Sequence, residues 1–147
     1  MRVILSVVAV VGVGLLSAVP VRAHHSFAAE FDANRPVKVK GTVTKVEWTN
    51  PHSWFHIDVK TPEGQVEQWM FEGGSPAALT HRGLTKDFIK PGTEVVVDGF
   101  LAKGVPHRFN GRAITYPDGR SLFVGSSGTG APEDGKDSDA KKPDAKK

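Results

Sequence analysis

Six histidines and no cysteine set the chemistry open to this 147-residue chain. Two of them, His24 and His25, are adjacent and follow Val21-Arg22-Ala23. A cut after Ala23 makes His24 the first residue of the mature chain, so its α-amine, its imidazole and the neighbouring His25 lie within a few bonds of one another. Nitrogen donors arranged in this way suit Cu(II) above other divalent ions. His52, in the stretch Asn50-Pro51-His52-Ser53-Trp54-Phe55-His56, is the donor that folding would bring to them. His52 and His56 share a face in an extended chain, but four residues of strand span about 13 Å. They cannot hold one ion unless Asn50-Pro51-His52 curls as a turn. Asn-Pro favours such a turn, which puts His52 at one end of the domain and leaves His56 as a surface or cross-strand residue. The competing accounts are plain ones: His25 packing against Phe27, and His52 hydrogen-bonded to backbone near Asn50.

Other chemistries find less support. Asp32, Asp58, Glu67, Glu72 and Asp98 lie in or near strand-like segments, but their spacing marks no acid and base pair. No Gly-x-Ser-x-Gly elbow, phosphate-binding glycine loop or His-Glu-x-x-His helix is present. Gly73-Gly74-Ser75 offers amides to an anion or is simply a turn and a cap. Glu72 beside it is either a buried acid near the histidines or an exposed strand end. Trp48, Trp54 and Trp69 lie on the leading strands; Trp69 suits a core, whereas Trp54, opposite Phe55, suits a ligand surface together with His56 and Glu72.

The elements that must position these side chains are mostly β. Val37, Val39 and Val43 alternate with Lys38, Lys40 and Thr42, with Gly41 marking a bend or bulge. Residues 54–60 place Phe55, Ile57 and Val59 on one face and Trp54, His56 and Asp58 on the other. After the turn Pro62-Glu63-Gly64, residues 65–72 form a third strand. Ser75-Pro76 then caps a helix of about two turns that Gly83 closes. Residues 94–101, 112–116 and 121–124 complete the strands, the last two joined by Pro117-Asp118-Gly119-Arg120. The chain is therefore expected to be all-β with one short helix, a small five- to six-stranded barrel like the oligonucleotide/oligosaccharide-binding fold. A small sandwich or an open sheet covered by the helix is the structural alternative.

The flanks differ from this domain. Arg2 and the apolar run 3–21 form an expected signal peptide over residues 1–23, or a membrane anchor if uncleaved. Cleavage after Ala18 instead would leave both leading histidines internal. Removing Arg2 and Arg22 lowers the formal net charge from +3 to +1, and no basic stripe for nucleic acid appears. Residues 125–147 carry no aromatic and no large aliphatic side chain. That composition predicts a disordered tail after a domain spanning 24–124.

Taken together, His24-His25-Ser26-Phe27, Phe31-Asp32, Gly41-Thr42-Val43, Asn50-Pro51-His52, Trp69, Gly83-Leu84, Pro91-Gly92 and Asp118-Gly119-Arg120 form a pattern over residues 24–123. The pattern resembles the small exported bacterial proteins grouped as domain of unknown function 6152. That resemblance implies export in a Gram-negative cell and a compact β domain, with no activity to carry over; Leu84 stands where tryptophan is the commoner form. The residues together with what the resemblance implies lead to an expected periplasmic, non-enzymatic binding protein. Its best-motivated ligand is copper, held by His24, His25 and His52. The rivals are a copper-dependent redox enzyme and a metal-free module that binds a partner or small envelope ligand through the Trp54 face and a sheet edge.

Overall fold

The structure is a computed structural model that describes residues 27–126. The elements in chain order are α1 (Phe27–Glu30), β1 (Phe31–Glu47), β2 (Trp54–Lys60), β3 (Val66–Glu72), α2 (Pro76–His81), β4 (Glu94–Ala102), β5 (Arg108–Thr115) and β6 (Ser121–Phe123). The sheet order is β3-β2-β1-β4-β5-β6, and β3 also pairs with β5. That extra pairing, parallel over Met70–Arg108, Phe71–Phe109 and Glu72–Asn110, closes five strands into a ring. The protein is all-β with two short helices, its strands in the order of the oligonucleotide/oligosaccharide-binding fold. No helix of the described residues is long and apolar enough to cross a membrane.

Register explains the core. Directly paired residues share a face, so Leu101, Phe109, Phe71, Phe55 and Val46 make one continuous row around the inside of the ring. Phe55 stacks on Phe71 with centroids 4.7 Å apart, and Phe71 meets Phe109 at 5.3 Å. Burying each of these rings stabilises the fold by about 1.5–3 kcal/mol. The helix α2 begins as its sequence dictates: Ser75 Oγ accepts from Ala78 N at 3.3 Å, and Pro76 occupies the first turn. Gly83, at φ +89°, then lets Leu84 N return to Leu79 O at 2.9 Å. Leu79, Leu84 and Ile89 are thereby driven into the core, which gives Leu84 a packing role.

Two strand starts and one added helix differ from the sequence expectation. β5 starts at Arg108 rather than Arg112. Its early part lacks an apolar alternation because Gly111 faces Phe71, whose Cδ2 would lie only 2.7 Å from an added Cβ. β1 starts at Phe31 rather than Val37, its pairing with β4 irregular between Phe31 and Pro36. The four-residue α1 is too short to show a period. It carries Phe27 onto Phe31, Phe100 and Ala102, a small apolar cluster separate from the main core.

Candidate functional site

The outer face of the ring carries the polar rows that correspond to the inner aromatic one. Phe100, Asn110, Glu72, Trp54 and Glu47 are consecutive register partners across β4, β5, β3, β2 and β1. One step along, Arg108, Met70, His56 and Lys45 form a parallel row. Trp54 therefore has a glutamate as its direct neighbour on either side. Each glutamate holds a histidine: Glu72 Oε1 lies 3.1 Å from His52 Nδ1, and Glu47 Oε1 lies 2.8 Å from His56 Nε2. The two histidines are thus sent to different carboxylates and do not meet.

His52 sits just before β2, after a cis peptide between Asn50 and Pro51. Thr49 Oγ1 donates to His52 O at 2.9 Å, closing the turn. The imidazole itself is bound by side chains: besides Glu72, its Nδ1 lies 2.9 Å from Ser126 Oγ, whose hydroxyl donates to Gly73 O at 3.4 Å. An ionised carboxylate can only accept, so Nδ1 is the donor toward Glu72, and a neutral His52 in this pose has its lone pair on Nε2. Glu72 is buried, with 7% of its surface exposed. This is the carboxylate–histidine arrangement that orients a metal-ligating imidazole.

His56 is in a different setting. Its partner Glu47 also receives Lys45 Nζ at 2.8 Å. The Lys45 hydrogen bond first, and the His56 hydrogen bond second, hold the Glu47 carboxyl below the usual carboxylate range. Trp54 is covered by Arg108, whose guanidinium carbon lies 4.7 Å from its ring centroid. The same guanidinium donates through Nη2 to Glu30 Oε2 at 2.7 Å and lies 5.7 Å from the Phe31 ring. His107, at φ 56°, stacks on Trp69 with centroids 4.8 Å apart, and its Nε2 lies 3.5 Å from Glu67 Oε2. His81 is exposed at the end of α2.

His24 and His25 lie outside the described residues, so the expected terminal chelate is not among the contacts above. Among the described residues, no three histidine, cysteine, aspartate or glutamate side chains gather as a metal site. Glu30, Glu47, Arg108, Asn110 and Ser126 were not singled out by spacing. They are isolated in the chain, and it is the pairing of β1 with β2, the helix before β1, ring closure and the path after β6 that carry them to this face. No curated protein and no solved structure matches the chain. A family model, described as a family of unknown function (DUF6152), matches residues 13–109, more than half of the sequence; the chain belongs to that family.

Proposed function

We propose that this is an exported, periplasmic copper-binding protein whose site is completed by folding. The His24 amine and imidazole and His25 are carried by the amino-terminal segment, and His52 Nε2 is the donor on the ring. Glu72 acts by fixing the His52 ring through Nδ1 and by offsetting the charge of the ion. The observation that carries this reading is the partly buried His52–Glu72 pair, 3.1 Å apart, on the same outer row as the residue against which the amino-terminal helix packs. Phe27 meets Phe100 edge-on at 5.5 Å. Phe100 is two strand spacings from Glu72 by register, about 10 Å. Three residues of extended chain ahead of Phe27 span a similar length, about 10 Å.

The test is a Cu(II) titration under chelator competition, using a chain that begins at His24 with its mass confirmed and a second with one alanine ahead of it. Tight one-to-one binding that is lost in the extended form is expected. His52→Ala should weaken binding without unfolding the ring. Affinity should also fade below about pH 6, as imidazoles protonate. Equal, weak binding by both forms would remove copper as the ligand.

A metal-free interaction module is the second reading. β3 pairs with β5 only from Met70 onward, so Val66 to Trp69 border an open edge, on which Val66 is 56% exposed. Such an edge can accept a further strand. Copper-independent capture of an extended peptide by this edge would support it.

A further inference from the structure

We propose that the sheet carries a separate site, where β1, β4 and β5 run side by side, that binds a small monocarboxylate with an apolar body. The site is a concavity of about 250 Å³ lined by residues 36–38 of β1, 98–100 of β4 and Arg112 of β5. Neither His52 nor Glu72 lines it, and it requires no metal. Two irregularities of pairing, one on each side of β4, open it. On the β1 side the register passes from Phe31–Ala102 to Pro36–Phe100, so residues 32–35 of β1 stand against Leu101 alone. Pro36 has no N–H with which to close the ladder. Phe100 ends the concavity on the side of the amino-terminal strap, Phe27 to Phe31, against which it packs.

On the β5 side Asp98 pairs with Ala113 and Gly99 with Gly111, which leaves Arg112 as the extra residue of a bulge. A bulge turns a side chain out of strict alternation. Here it brings Arg112 to the lining shared with Lys38 and Asp98, and Val124 N fixes its backbone by donating to Arg112 O at 2.9 Å. Lys38 Nζ lies 3.4 Å from Asp98 Oδ1. Two cations, Lys38 and Arg112, against the single anion Asp98 leave the lining with one net positive charge, which suits one carboxylate and not two. The planar fork of Arg112 can donate two parallel hydrogen bonds to that carboxylate, and Pro36, Val37 and Phe100 supply apolar walls for the rest of the ligand. The volume lies below the range of about 300–1,000 Å³ typical of pockets for drug-sized molecules. The occupant is therefore small.

The test is a titration of the chain beginning at His24, in buffer without copper, with benzoate, benzyl alcohol and benzylamine, followed by the NMR shifts of backbone amides. The three probes are alike in size and differ in charge. Benzoate should give saturable shifts at Lys38, Gly99, Phe100 and Arg112, half complete at about 1 mM, while Ile57 and Phe71 stay in place. The neutral and cationic probes should bind about tenfold more weakly or not at all. Arg112→Ala should raise the benzoate half-saturation about tenfold, the effect of losing a charge-assisted pair, and Arg112→Lys should recover only part of that loss. Lys60→Ala, which removes an exposed lysine outside the lining, should change nothing. If Arg112→Ala shifts the amides of Phe71 and Phe109 before any probe is added, the ring itself has moved, and Lys38→Ala then carries the test with an expected loss of about threefold. Benzoate shifts that never saturate, saturation shared equally by benzyl alcohol, or unchanged affinity in both Arg112→Ala and Lys38→Ala would overturn the proposal. Because no readout involves metal, failure of the copper reading leaves this one standing, and the reverse holds too.

Discussion

At the scale of single residues, the polar groups of this protein are distinguished by what neighbours them rather than by type. His52 and His56 are four residues apart on one strand and its approach, yet one faces a buried glutamate and the other a half-buried glutamate already held by a lysine. The same contrast governs Tyr116, the single tyrosine of the chain. Burial pushes its phenol up to about 12, with Arg120 pulling in the opposite direction and Asp118 adding to the rise. A tyrosine whose folded value lies above its unfolded value binds the proton more tightly when folded. Its contribution to stability is therefore complete below pH 10 and is lost as pH rises toward 12. The absorbance of tyrosinate at 295 nm should stay absent at pH 10.5 while the protein is folded and appear together with unfolding. A simple titration centred on pH 10 in folded protein would contradict the buried setting.

At the scale of elements, closure of the ring depends on how closely β4 and β5 approach at their irregular register between Asp98 and Gly99. An added Cβ at Gly99 would overlap the backbone carbonyl oxygen of Asn110, and neither strand can yield without breaking the ladder. Gly99→Ala should lower unfolding free energy by about 3 kcal/mol in a denaturant titration. Gly64→Ala, where nothing lies within 4 Å but φ is +84°, should cost only about 1 kcal/mol, from backbone strain alone. Equal losses at the two positions would mean that conformation, not approach, decides both. The helix α2 was legible in advance because Ser75, Pro76 and Gly83 each act through their own local geometry. The early half of β5 was not, because Arg108 to Gly111 take their place from Phe71 and Glu72 on a strand 36 to 40 positions earlier.

At the scale of the whole molecule, both ends of the folded region run to the same outer face. The amino-terminal strap ends beside Arg108, and the chain after β6 runs from Val124, whose carbonyl accepts from Gly74 N at 2.8 Å, to Ser126 against His52. Arg82 Nη1 donates to Gly125 O at 2.7 Å. Ending the chain after Val124 removes these last contacts and should destabilise the protein by about 1–2 kcal/mol. Ending it after Ser126 removes only residues without large apolar side chains and should change stability by less than about 0.5 kcal/mol. Thermal unfolding of the two truncations separates these outcomes.

The sequence by itself determined the elements whose signals are local. Period-2 patterning set β2 and β3, turn chemistry set the Pro62-Glu63-Gly64 and Asp118-Gly119 reversals, and capping set α2. It also determined which face of β2 turns outward, because alternation forces Trp54 and His56 away from Phe55. Only the tertiary structure decided that His52 belongs with Glu72 and Ser126 and that Arg108 stands between Trp54 and Glu30. Those partners lie 20 to 78 positions apart: His52 meets Glu72 through the pairing of β2 with β3 and Ser126 through the path after β6, and Arg108 reaches Trp54 through the parallel closure of β3 on β5, which no local preference of the backbone encodes.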